Sequence, residues 1–224
     1  MAIGPHVYGD NRRGCWFIFA AGFTDKLRHR LPRLAPYNVT DVFLPREATA
    51  ADKQLVVESR LFAALYETPP AGKTAAEYAE QALADVDRLK YGALELNIEG
   101  IADDRLAAFI IDTVGLIRAK KPNLRLRINV VPYKGQFLPA GLFAWDPQLF
   151  LVIQNFLGNM DARVAEDELV RNVVERGVPE PKVSVMYGAH ISPGNGRPRV
   201  PALPEMRRRG SIYSDDLLAD GGYV

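Results

Sequence analysis

The chain carries a single cysteine, Cys15, among its 224 residues. An internal disulfide is therefore excluded, and so is a structural zinc site built on paired thiolates. Histidine is almost as scarce. His6, His29 and His190 are the full set, with no H-x-H or H-E-x-x-H spacing, so no metal site is expected. Charge of one sign is not in excess either: 28 Lys and Arg stand against 27 Asp and Glu, a formal net charge of +1. That balance lacks the basic footprint of a nucleic-acid binder, and no nucleic-acid partner is expected. No apolar run reaches the roughly 18 residues needed to cross a bilayer, so no membrane partner is expected. A Gly-rich phosphate loop and a G-x-S-x-G elbow are both missing, which demotes chemistries built on them and leaves no cofactor implied.

What is present is ordinary globular composition, 48% hydrophobic and 25% charged, enough for one domain with a core of its own. Strand-length apolar runs recur over 15–22, 38–44, 59–66, 92–99, 124–131, 149–156, 182–187 and 210–215. Helical spacing separates several of them. Residues 75–90 start behind a capping box, Thr74 with Glu77, and place Tyr78, Ala82, Val86 and Leu89 on one face. Residues 103–120 open on acids and close on bases, the order a helix dipole favours. A third helix is expected over 166–176, with Gly177 as its stop.

Eight strands with helical crossovers predict an α/β protein, a compact (β/α)8 TIM barrel over residues 15–224. Residues 1–14 read as an irregular N-terminal arm, and 191–209, with four prolines, as a long loop before the eighth strand. An open doubly wound sheet is the competing arrangement.

The fourth strand holds the most informative pattern. In Gly92-Ala93-Leu94-Glu95-Leu96-Asn97-Ile98-Glu99 the pleat puts Leu94, Leu96 and Ile98 on one face and Glu95, Asn97 and Glu99 on the other. The fifth strand repeats it, with Arg125, Arg127 and Asn129 opposite Leu124, Leu126, Ile128 and Val130. If the apolar sets face the helices, two acids and an amide line the barrel interior. Glu95 is then expected to pair with Arg127 or Arg125, while Glu99 stands at the carboxyl-end rim, where barrel active sites form.

This strand resembles the second half of the D-G-x-D-x-D-x-E motif of family-18 glycoside hydrolases, the chitinase-like barrels, as E-x-N-x-E in place of D-x-D-x-E. Gln154-Asn155-Phe156 is similar to that family's sixth-strand site, and 210–215 resembles its closing strand. The resemblance implies Glu99 as the acid that protonates the glycosidic oxygen while the substrate's own N-acetyl group attacks the anomeric carbon. It implies Asn97 as the stabiliser, with Glu95 one step back in the same network, and Gln154 and Tyr213 of the closing strand as substrate-binding residues. Tyr66, Asn129 and Tyr187 join them as binding candidates from their places on the strands, and Asp215 ends the eighth strand, where it either binds hydroxyls or, more readily, caps the following turn. The implied partner is an N-acetylated polysaccharide of cell-wall or chitin type.

Asn97 departs from the family's Asp, since an amide supplies no negative charge to a developing oxazolinium. Phe156 stands where a Tyr hydroxyl is usual. A slow enzyme, an enzyme on another glycan and a barrel that only binds all fit these departures. The last of these could be a structural part of a larger assembly of chains, such as a phage virion or tail. Met1 to His6 show no secretory-signal pattern, giving a cytoplasmic or virion location as the expectation. Family-25 lysozymes, with D-x-E on a barrel strand, are the second comparison. Glu67, Tyr133 and Lys134 also fall near expected strand ends, and Trp145 is expected to be core more readily than sugar-stacking.

Overall fold

A computed structural model describes residues 14–16, 23–32, 41–155, 170–188 and 211–213. Eight parallel strands pair in sequence order and close into a barrel: β1 Gly14–Trp16, β2 Asp41–Pro45, β3 Phe62–Glu67, β4 Ala93–Asn97, β5 Arg125–Val130, β6 Leu149–Asn155, β7 Val183–Gly188 and β8 Ser211–Tyr213. Closure is explicit, because β1 pairs with β2 on one side and β8 on the other. The open sheet is thereby excluded. Five helices are described over their full length: α1 Phe23–Arg30, α2 Ala50–Glu58, α3 Ala75–Leu89, α4 Asp103–Lys120 and α5 Ala140–Trp145. None of them is long and apolar enough to cross a membrane.

The pleat divides the strands as the alternation predicts. Leu44, Leu65, Leu94, Leu96, Leu126, Ile128, Leu151 and Ile153 join the buried cluster that the helices cover, together with Tyr78, Val86, Leu106 and Ile110. The other face supplies a small interior cluster of Phe43, Ala64, Ala93 and Val152, with Tyr66 packed against it. Burying the helix-side cluster at roughly 1.5–3 kcal/mol per large apolar side chain is what holds the crossovers to the barrel.

Local signals account for most boundaries. The α3 capping box forms: the Thr74 hydroxyl accepts from Glu77 N at 3.2 Å and the Glu77 carboxylate accepts from Thr74 N at 2.9 Å. α4 occupies the expected 103–120. Residues 170–174 are helical, and Gly177 takes a φ of 99°, consistent with a stop there. Two corrections concern the second crossover. α2 escapes the periodicity because only Asp52 and Val56 of its nine residues are buried, although Thr49 and Asp52 form a reciprocal cap. The strand expected from residue 59 starts at Phe62, since Ser59 ends α2 and Arg60 turns through a φ of 60°. A further correction concerns 23–30, a polar stretch that forms α1 by burying Leu27. Residues 1–13 and 189–210 lie outside the described residues, and with them nearly all of the expected arm and long loop.

α3 ends on Lys90 in the left-handed region, φ 53° and ψ 48°. A side chain is disfavoured there and glycine is not. Lys53 Nζ bonds the Lys90 carbonyl at 2.8 Å, a contact that any residue at 90 preserves. Lys90→Gly is expected to stabilise the fold by about 0.5–1 kcal/mol. A urea midpoint that stays put or falls would show that the lysine side chain contributes more than the backbone strain removes.

Candidate functional site

The carboxyl ends of β3, β4 and β5 gather the polar side chains that the alternation predicts for the interior. Register sets them in rows: Tyr66 is paired with Glu95 and Glu95 with Arg127, while Asn97 is paired with Asn129. Glu95 is fully buried. Its Oε1 accepts from Asn129 Nδ2 at 2.8 Å, and its Oε2 faces Arg127 Nη1 at 3.9 Å. The Arg127 guanidinium in turn lies over the Phe43 ring, 5.1 Å from its centroid. A buried carboxylate needs such neutralisation, and Arg127 rather than Arg125 supplies it. Arg125 lies instead over the Phe150 ring at 5.8 Å.

One step toward the rim, Asn97 serves two neighbours at once. Its Nδ2 donates to the Tyr66 hydroxyl at 2.8 Å, and its Oδ1 accepts from Glu99 N at 3.3 Å. Thr68 Oγ1 donates to the same Tyr66 oxygen at 3.3 Å. Burial pushes the Tyr66 phenol above its ordinary range, the hydrogen bonds from Thr68 and Asn97 pull it down, and the charges of Glu95 and Glu99 raise it further. The net direction is upward, so the hydroxyl keeps its proton at neutral pH. An aspartate at 97 would have no N–H for the Tyr66 oxygen, so the amide has a definite use here. Thr68 joins the group without any motif or spacing to single it out beforehand.

Glu99 lies two residues beyond the end of β4 and is exposed. Its turn is tight: Ile98 N donates to Asn129 O at 3.2 Å and Ile101 N to Ile98 O at 3.1 Å. An exposed carboxylate thus sits on a turn fixed to β5 and to Asn97, at the end of the barrel where ligands bind in this architecture. Asn129, Asn97, Glu95 and Tyr66 are brought together with it. For the other expected binding residues the backbone register is described. Gln154 pairs with Met186, Asn155 with Tyr187, and Gly188 with Tyr213. Asp215, Phe156 and His190 lie outside the described residues.

Two expectations are corrected. Glu67, expected at a strand end either facing a ligand or in solvent, is in neither place. It follows the inward Tyr66, so the pleat turns it outward beneath α3, where it is 3% exposed and faces Arg46 at 3.4 Å. Trp145 is not core: it is 76% exposed at the end of α5, before β6 begins, and so belongs to the opposite end of the barrel. Among the described residues, no group of three or more His, Cys, Asp or Glu is placed to hold a metal ion.

No protein-family model and no curated protein matches the sequence. Solved structures do resemble it in fold. The Bacillus cereus spore cortex-lytic enzyme SleL aligns with a TM-score of 0.57 at 11% identity, covering 88% of this chain and 58% of that one. DHDPS from Cyanidioschyzon merolae, solved with lysine bound, gives 0.54 at 10% identity over 90% of this chain and 69% of that one. Morphinone reductase gives 0.53 at 9% identity over 97% and 83%. The chain therefore spans little more than half the length of the SleL structure. A lytic enzyme and a reductase share this likeness, so what is common to them is the α/β barrel.

Proposed function

We propose that this barrel is a glycoside hydrolase-like protein that engages an N-acetylated polysaccharide, of cell-wall or chitin type, across the carboxyl ends of β3 to β5. The observation that carries the reading is the end of β4, where Glu99 stands exposed at the rim on a turn held by Asn97, and Asn97 is held by Tyr66. The resemblance of this strand to the family-18 motif supports it, as does the fold likeness to a protein named as cortex-lytic. In this reading Glu99 is the general acid. The acid then gives its proton to the glycosidic oxygen as the bond to the anomeric carbon breaks, and the acetamido oxygen of the same sugar closes on that carbon. Asn97 and Tyr66 would orient the acetamido group by hydrogen bonds. Without a carboxylate at 97 the positive intermediate is less well stabilised, so turnover would be slow.

A second reading has an observation of its own. The Asn97 amide is committed to the Tyr66 oxygen, which suits a barrel that binds glycan without cleaving it, as a part of a larger assembly such as a phage virion or tail. Release of reducing ends from chitin and peptidoglycan separates the two. The hydrolase reading expects release to fall at least about tenfold in Glu99→Gln and to rise in Asn97→Asp. Equal background release from all three proteins sinks that reading. Retained pull-down on the insoluble glycan would then favour the binding barrel.

A further inference from the structure

The 3-10 helix Pro132–Phe137 follows β5 at the same end of the barrel and carries a buried lysine beside an exposed aromatic ring. The Lys134 side chain is 4% exposed, whereas Tyr133 is 58% exposed. Burying an ammonium is costly unless its donors are met. Here they are met from the neighbouring crossover. Lys134 Nζ donates to the Ile101 carbonyl and pairs with Asp103 Oδ1 at 3.1 Å. Ile101 closes the turn that bears Glu99, and Asp103 opens α4. The same Nζ lies 5.8 Å from the centroid of the Tyr133 ring. The segment is also backed from within: Lys134 N donates to Val131 O at 3.0 Å, and Gly135 is close enough to Val173 that a Cβ would meet its Cγ1 at 3.1 Å.

We propose that Lys134 is the positioning residue of this end of the barrel, a clamp that fixes the Glu99 turn relative to Tyr133, and that Tyr133 is the platform on which a pyranose ring of the glycan stacks. The ligand half rests on the function proposed above. The clamp half does not. One ammonium touches both segments, so the carboxylate and the ring are set at one spacing before a ligand arrives. That arrangement lowers the ordering cost of binding a sugar between them.

The test uses the full chain with Lys134→Met, which keeps the stem and removes the donors, and Lys134→Arg, which restores a cation. Asp103→Asn is the second route, since it weakens the clamp from its exposed side. Amide hydrogen exchange of the free protein is read first. The clamp expects exchange over 98–103 to quicken at least tenfold in Lys134→Met, with α3 and β2 unchanged, and to slow again in Lys134→Arg. Unchanged exchange over 98–103 in both Lys134→Met and Asp103→Asn overturns the clamp. Affinity for triacetylchitotriose is read next. A loss of at least tenfold in Lys134→Met and in Tyr133→Ala, with recovery in Lys134→Arg, is the expected result. Faster exchange with undiminished affinity shows a tether that positions nothing, and overturns the assignment. A wild-type chain that binds no oligosaccharide overturns the proposed function and the platform together, while exchange still decides the clamp.

Discussion

Glu67→Gln is expected to raise the stability of the barrel by about 3 kcal/mol at pH 8 and by less than about 1 kcal/mol at pH 5. Glu67 ends β3 on the helix-facing side, with its side chain 1% exposed. One oxygen faces Arg46 Nη2 at 3.4 Å, but that guanidinium is shared with Asp85 at 3.3 Å. The other oxygen, Oε1, is buried without a hydrogen-bond partner. Burial dominates and pushes the carboxyl up from 4.5 to about 7, Arg46 opposes it, and the charges of Asp85 and Glu47 add to it. Tyr78 faces it from α3 as a neutral phenol, itself pushed well above its ordinary range by burial. The sign follows from proton binding. Between pH 4.5 and about 7 the native chain holds a proton at Glu67 that the unfolded chain has released, so stability falls as pH rises through that window. Above pH 7 the whole penalty is present; below 4.5 it is gone. Glutamine cannot ionise, keeps the shape, and leaves Arg46 to Asp85. At about 2–4 °C per kcal/mol for a chain of this size, the gain at pH 8 is roughly 6–12 °C in Tm. Thermal or urea unfolding at pH 5, 6.5 and 8 measures it. Wild-type and variant curves that run parallel across that range would mean Glu67 ionises in the folded chain as easily as in the unfolded one.

The orientation of Glu67 was available from the strand itself. With Tyr66 inward, the pleat obliges its neighbour to face the helices, and only attention to the strand end, where loops meet ligands, suggests otherwise. β4 and β5 were legible for the same reason: period-two alternation survives wherever one face is apolar and the other polar, and both strands are clean examples. The carboxyl-end column of Tyr66, Glu95, Asn97 and Asn129 follows directly from it. α2 was not legible from its apolar spacing, because its inner face offers Asp52 and Val56 where a stripe was sought. Trp145 misled because large aromatics fill cores in general. In a helix as short as α5, the neighbouring Phe143 fills the buried place and leaves Trp145 outside. The Lys134 clamp had no sequence signal. Its partners are a backbone carbonyl and a carboxylate more than 30 residues upstream, and only the parallel order of β4 and β5 brings those crossovers side by side. Asn97 shows a different limit. A motif comparison reads its amide as a lost charge, whereas the structure gives that amide a donor's role toward Tyr66.

Arg127→Met is expected to destabilise the barrel by about 3–5 kcal/mol, the cost of leaving a buried charge without its counter-charge. The side chains of Glu95 and Arg127 are 0% and 5% exposed, and they neutralise one another across the β4–β5 register at 3.9 Å. Methionine keeps an unbranched stem of similar length but neither the charge nor the guanidinium that lies over Phe43, so Glu95 would lose its Arg127 counter-charge while fully buried. The double variant Glu95→Gln with Arg127→Met removes both charges. It is expected to recover most of the loss, since a neutral buried pair of similar volume lacks the desolvation penalty of the ionic one. Denaturant unfolding of the two single variants and the double gives the coupling energy directly. A double variant no more stable than Arg127→Met alone would assign the loss to packing over Phe43 and not to charge. The outcome bears on the site as well. Glu95 is fully buried between Arg127 and Asn129, whereas the Glu99 carboxylate at the same end of the barrel is exposed.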